Sequence, residues 1–385
     1  MSQAVIVDVV RSISGRGKPG GRLSAMHPVD LLASVLRSLI ERSDLDPALV
    51  DDVIGGCVSQ AGQQSVNITR NALLGAGFPD SVPGTTIDRQ CGSSQQAVAF
   101  AAQGVIAGAY DIVIACGIEQ MSRNPINFAT LGEDPWGTRV HERYPDGLVG
   151  QGISAELIAA RWNLSREELD EFSARSHRLA AASDFSNELV AVDDGALTDE
   201  TVRPSTTVEG LAGLSPAFRE EQYVTRFPEI QWRITPGNAS PLTDGASAAL
   251  IMSEEKAAQL GLTPRARILH NTVVGSDPIE MLTGVIPATR RILDRSGLSI
   301  DDFDSYEVNE AFAPVPLAWT REFDADPEKL NPRGGAIALG HPLGASGTRL
   351  LATLVNTLEQ TGGRYGLQTM CEGAGMANAT IIERI

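Results

Sequence analysis

Two thiols, one imidazole and one amide sit in turns from which this chain could build acyl-transfer chemistry. Cys91 lies in DRQCGSSQQ, just ahead of a small-residue apolar run that reads as a helix. A thiol there faces the positive end of the helix dipole and unpaired backbone N–H groups, and both favour the thiolate. Gly92, Ser93 and Ser94 leave room for a carbonyl to approach, as at other nucleophile turns. The alternative is a buried structural thiol, the commoner fate of a cysteine.

His341 lies in GGAIALGHPLGASG, a glycine-rich loop stiffened by Pro342. A lone histidine in such a loop is more often structural than catalytic. No GK[ST] follows, so the loop is not a Walker phosphate site. Cys371 opens CEGAG, where Gly373 and Gly375 expose N–H groups able to stabilise an oxyanion. The strand-like ATIIERI that follows, in place of a helix, rules out a dinucleotide turn. Asn309 ends a strand-like run in VNEAFAPV, where its amide could hold a water or polarise a carbonyl. All four residues fall at C-terminal strand ends, where α/β enzymes build their sites. Cys57 and Cys116 sit inside apolar strand patterns and read as core. His27, His141, His177 and His270 lack metal-ligand spacing, although His141 could line a pocket. Met121 reads as packing.

The elements that must position these groups alternate in type. AVIVDVV (4–10) and DIVIACG (111–117) are short Val/Ile-rich runs that predict buried strands. Asp30 precedes an apolar stripe at Leu31, Leu32, Val35, Leu36, Leu39 and Ile40, which predicts a helix with Asp30 as N-cap. The run after Cys91, through AVAFAAQGVIAGA, is apolar nearly all round and predicts a helix buried between layers. Ser346 leads into another helix, stopped by Gly362–Gly363 and followed by the strand YGLQTMC (365–371). Alternating strands and helices predict an α/β architecture.

An internal repeat sharpens that expectation. Asp51–Asp52 and Asp301–Asp302 each precede a strand-like run, and a shift of 250 residues superposes them and lays Cys91 on His341. Two similar α/β halves would follow, with the thiol and the imidazole at equivalent strand-to-helix junctions. Between the halves, over about 118–245, the composition turns richer in Trp and charge. SAELIAARW and REELDEFSARSHRLAAAS read there as exposed amphipathic helices, the second capped by Ser165. This stretch predicts an insertion over the cores, a place where specificity is set.

Composition bounds the rest. The 385 residues are 42% hydrophobic and 21% charged, which predicts a folded protein of two or three domains. Four cysteines with no CxxC argue against a disulfide scaffold or a structural zinc site. A formal net charge of −17 disfavours nucleic acid as a partner, although a local Arg cluster could hold an anionic coenzyme. No apolar run long enough to span a bilayer and no signal-peptide pattern is present, so the expectation is a cytoplasmic enzyme without membrane insertion.

Taken together, QCGSS (90–94), GIEQMSR (117–123), GNAS (237–240), DGASAAL (244–250), NEAFA (309–313), GGAIALGHPLGASG (334–347) and CEGAGMA (371–377) resemble the thiolase family, in family order over the whole chain. The wording resembles bacterial degradative thiolases. The resemblance implies two similar α/β halves in a five-layered αβαβα arrangement plus a loop domain. The expected division is 1–117 with about 244–265, then 118–243 as loop domain, then 266–385. It implies that Cys91 attacks a 3-oxoacyl-CoA to form a thioester, that His341 takes its proton, and that Cys371 is the acid/base. Asn309 would hold a water in one oxyanion site, and the N–H groups of Cys91 and Gly373 would form a second. Coenzyme A is implied as co-substrate, with no permanently bound cofactor or metal. Ser240 would lie beside its pantetheine arm and Arg219 would contact a phosphate. A homodimer or homotetramer is implied as well.

The sequence departs from the family at several positions. Arg333 stands for the usual Asn, Ala374 for a usual Gly, and Gln151 for the Met of many short-chain members. The leading expectation is a degradative 3-oxoacyl-CoA thiolase. The alternatives are a biosynthetic acetyl-CoA acetyltransferase and, remotely, a non-catalytic thiolase-like binding protein.

Overall fold

The Val/Ile-rich runs form the centre of a single mixed sheet in the computed structural model, which describes residues 3–192, 195 and 197–385. Its strands are β1 (Ala4–Arg11), β2 (Gly15–Arg16), β3 (Asp52–Gly56), β4 (Gly84–Ile87), β5 (Ile112–Gln120), β6 (Thr243–Ser253), β7 (Ala266–Gly275), β8 (Ser305–Val308), β9 (Tyr365–Glu372) and β10 (Met376–Arg384). They run in the order β4-β3-β5-β6-β1-β7-β10-β9-β8, with β2 pairing β6. β1, β5 and β6 are buried along their whole length, which is why they are apolar without alternation.

That order is the same motif twice. β3 lies parallel to β5, which lies antiparallel to β6, which lies antiparallel to β1. β8 relates in the same way to β9, β10 and β7. The two copies meet where β1 pairs β7. Even the register repeats: Asp52 faces Val113 in one copy and Ser305 faces Gly366 in the other, each pair offset by 253 residues. The helices Ser93–Ala107 and Ser346–Thr361 share this offset. The duplication is therefore present, but with an offset of 253 instead of 250. Cys91 consequently matches Gly344, and His341 sits three residues further out. A 3₁₀ turn at Leu343–Ala345 separates His341 from its helix and accounts for the difference.

Successive residues of each strand serve opposite faces, as the pleat requires. Val5, Ile112, Ile114 and Leu250 pack with Leu31, Val35, Leu36 and Leu39 of the outer helix Pro28–Ser43. Ile6, Val113 and Ile251 face the middle layer, where Ala97, Ala101 and Val105 meet Leu351, Leu354 and Val355. In the second half, Phe303, Tyr306, Trp319 and Ile292 form the outer core with Leu367 and Cys371.

Three local expectations are corrected. The Pro28–Ser43 helix is capped by His27, whose Nδ1 accepts from the Val29 N–H at 3.2 Å, and Asp30 lies in its first turn. The Ser93–Ala107 helix is not covered all round, because Phe100 and Ile106 reach the surface. The Gln151–Arg161 helix, expected to be exposed, is buried from Gly152 to Ala159 between the loop region and the second half. Ser165 does cap the Arg166–Ala182 helix in a reciprocal box with Glu168.

Candidate active site

The two helices of the middle layer meet at their N-terminal turns, which interlock. The Thr348 N–H donates to Ser94 Oγ at 3.0 Å, and a Cβ on Gly347 would lie 2.1 Å from the Gln95 N. Cys91 follows Gln90, which is held at a φ of +50°, so the thiol stands on a strained turn two residues before its helix. A Cβ on Gly92 would lie 2.1 Å from Glu372 Oε1 and 2.6 Å from Asn378 Nδ2, so a larger residue here would have to displace both side chains.

The thiol is buried and packs with Leu343, Leu350 and Met370. Gln151, at the start of its own helix, aims Nε2 at Cys91 Sγ from 3.8 Å. Burial pushes the thiol up to about 12; the Gln151 donor pulls it down, and the Glu372 charge pushes it up again. The expected thiolate character is thus overridden by burial in the resting site. Cys371 is also held well above its ordinary value, by burial first and then by Cys91, which is near enough to act on it. Both cysteines rest as neutral thiols.

His341 is neutral at rest. Burial and then the Arg349 charge push it down to about 3, so the ring is neutral. The Ser346 hydroxyl donates to the Pro342 carbonyl at 3.0 Å, which leaves its lone pair to accept from His341 Nδ1 at 2.6 Å. This network assigns the proton to Nδ1 and leaves Nε2 with its lone pair as an acceptor. Asn309 Nδ2 lies 3.4 Å from Nε2, and Asn309 Oδ1, although buried, has no partner among the described residues. Ser346 is a contributor that the sequence reading missed.

Two buried glutamates, also missed, hold the loops in place. Glu310, beside Asn309, accepts from Ser176 Oγ, Asn331 Nδ2 and the Ile337 N–H, and so ties the approach to His341 to the Arg166–Ala182 helix. Glu119 accepts from the N–H groups of Val58, Ser59 and Gly344 and from Gln64 Nε2. A carboxylate at the end of an otherwise apolar strand was the available signal for Glu119; Glu310, in the loop after β8, offered none.

The expected coenzyme contacts lie nearby. Ser240 Oγ and N–H both reach the Ala311 carbonyl at 3.0 Å, which joins GNAS to NEAFA. Arg219 is exposed and follows Phe218, whose ring packs edge-on against Phe312 and fills the space beside Gly152. Arg333 points away from the site. It stacks over Phe185 and lies 3.4 Å from Glu188, in a cluster with Arg11 and Asp199. His141 is also outside the site, on the surface, 2.8 Å from Asp134.

Comparison with known proteins agrees over the whole chain. The family model described as thiolase, N-terminal domain matches residues 4–255, and the one described as thiolase, C-terminal domain matches 262–384. A steroid 3-ketoacyl-CoA thiolase of Mycobacterium tuberculosis is 49% identical, covering 100% of this chain and 95% of that protein. A 3-ketoacyl-CoA thiolase of Serratia proteamaculans is 42% identical, covering 100% of both chains. Among solved structures, an acetyl-CoA acetyltransferase of Bacillus anthracis superposes with a TM-score of 0.88 at 37% identity, covering 100% of this chain and 99% of that one.

Proposed function

The chain belongs to the thiolase family, and on that premise we propose that it cleaves 3-oxoacyl-CoA with coenzyme A to acetyl-CoA and a shortened acyl-CoA. The observation that supports this reading is that Cys371 lies near enough to Cys91 to act on it, while His341 pairs with Asn309 in the loop leading to the helix whose first turn interlocks with that of the Cys91 helix. Cys91 Sγ attacks the ketone carbon as its proton passes to His341 Nε2. The carbon–carbon bond breaks, and Cys371 supplies the proton that the departing acetyl-CoA carbanion needs. Cys371 then recovers a proton from incoming coenzyme A, whose thiolate takes the acyl group off Cys91, and His341 returns its proton to the freed Cys91 thiolate. Two easier steps replace one difficult one.

Neutral resting thiols suit this order. Cys371 begins as an acid, and Cys91 loses its proton only as the carbonyl is engaged. Asn309, whose Oδ1 has no partner among the described residues, suits the water of the first oxyanion site. The N–H groups of Cys91 and Gly373 are proposed for the second. Ser240 and Arg219 are proposed as coenzyme A contacts, Ser240 on the strength of its bond to the NEAFA segment.

The division into 1–117 with about 244–265, 118–243 and 266–385 is proposed as well, supported by the place of β6 between β5 and β1. We assign the enzyme to the cytoplasm and to a homodimer or homotetramer on family grounds. Among the described residues, no helix is long and apolar enough to cross a membrane.

Thiolysis across a panel of 3-oxoacyl-CoAs, from acetoacetyl-CoA to long-chain and ring-bearing ones, tests the reading. Preference for long or bulky substrates, abolished by Cys91→Ala, is the expected result. Preference for acetoacetyl-CoA with condensation of acetyl-CoA would favour the biosynthetic reading, to which the Bacillus anthracis structure lends weight. Silence on every substrate would overturn both.

A further inference from the structure

Under the 253-residue offset of the two halves, Glu119 at the end of β5 corresponds to Glu372 at the end of β9, and Gly344 corresponds to Cys91. Glu119 is saturated with donors, and one of them is the Gly344 N–H at 2.9 Å. Glu372 is fully buried, yet neither carboxyl oxygen has a hydrogen-bond partner among the described residues. It nevertheless lies against the nucleophile turn, so close that a Cβ on Gly92 would collide with its Oε1. Asn378 shares the contact: its Nδ2 donates to the Gly92 carbonyl at 3.1 Å, and its Oδ1 has no partner among the described residues.

An ionised carboxylate in this position would stand against the Cys91–Gly92 turn, where the Gly92 N–H is already given to the Arg89 carbonyl at 3.1 Å, so the Cys91 N–H is the donor it would draw on. The Cys91 N–H is also the donor proposed for an oxyanion. We infer that Glu372 is a positioning residue that works in its protonated form. As a neutral acid it leaves the Cys91 N–H to the substrate and adds no charge beside the two thiols. On losing its proton it withdraws both conditions and acts as an alkaline brake on Cys91. This inference rests on the proposed role of Cys91 as nucleophile.

The surroundings favour the neutral form near physiological pH. Burial pushes Glu372 up to about 8; Arg89 opposes this and Asp88, on the same loop, adds to it. Cys91 on the turn and Cys371 on β9 are the other titratable groups facing it, and a charge on Glu372 raises both thiols. On β10 the neutral Met376 pairs with Glu372, and the neutral Asn378 meets the same turn.

Alkylation of Cys91 by iodoacetamide, followed by mass spectrometry from about pH 6 to pH 10, reads the brake without requiring turnover. In Glu372→Gln alkylation near pH 9 should be roughly tenfold faster than in the wild type, the two rates converging toward pH 6, where the side chain is neutral in both proteins. The alkaline limb of thiolysis should extend in parallel. A merely structural role would not produce a rate ratio that grows with pH. Thermal melting checks the fold, and Glu372→Met, of similar volume, serves if the amide variant does not fold. Superposable alkylation profiles would overturn the role of Glu372, provided that turnover still requires Cys91. Turnover that survives Cys91→Ala would overturn the parent reading instead.

Discussion

At the end of β5, Glu119 gathers three backbone N–H groups and a side-chain amide and fastens the His341 turn to the first half of the sheet. At the matching end of β9, Glu372 presses on the Cys91 turn and gathers none among the described residues. The same divergence separates Gly344 from Cys91, the residues these carboxyl groups face. One junction of the duplicated fold is closed by hydrogen bonds and serves as a staple. The other is left with unsatisfied polar atoms and two neutral thiols, and that junction is where chemistry is available. A saturated site stabilises a fold; an unsaturated one has interactions left to offer a transition state.

The largest expected effects come from the paired junction residues. Cys91→Ala should remove turnover, by on the order of 10⁴-fold or more, while the melting temperature stays near that of the wild type. Gly344→Ala should do the reverse. Its Cβ would meet Cys57 Cα at 2.7 Å and the Gly56 and Ile118 carbonyls at 2.8 Å, which should cost about 3 kcal/mol in denaturant unfolding. If both variants lost stability equally, the division between the junctions would fail.

Asn309→Ala comes next, with kcat expected to drop ~10²–10³-fold as one oxyanion group is lost. Unchanged kcat in steady-state thiolysis would remove Asn309 from the site. A smaller contrast separates the two glutamates in stability. Glu119→Gln should destabilise by about 2 kcal/mol through loss of charge-assisted bonds, and Glu372→Gln by less than about 1, since no bond is lost there. Parallel urea titrations compare them. The smallest effect is expected at Ala374, a non-glycine residue held at a φ of +63°. Ala374→Gly should relieve strain and raise stability by about 1 kcal/mol, read from the thermal midpoint.

Much of this contrast could be read in advance, and some of it could not. Cys91, His341, Cys371 and Asn309 announced themselves because each is a reactive or polar residue in a glycine-rich or strand-end context. The duplication was legible from the Asp pairs and the repeated helix-then-strand order, but its offset was misjudged because the 3₁₀ turn before the second helix leaves no composition signal. Ser346 and Glu310 were passed over, since a serine at a helix start and a glutamate in a loop look ordinary until their partners are known. Gln151 was noted only as a departure, and its approach to Cys91 spans 60 residues of chain.

Local pattern therefore determined which segments are strands and helices, because side-chain size, branching and period act over a few residues. It also determined which side chains could react. Only the tertiary structure decided whether those groups carry charge. The helix N-terminus at Cys91 favours a thiolate, yet burial overrides it and leaves the thiol near 12. Burial likewise holds His341 neutral near 3. Desolvation depends on everything packed around a group, and that surrounding is assembled from segments far apart in the chain.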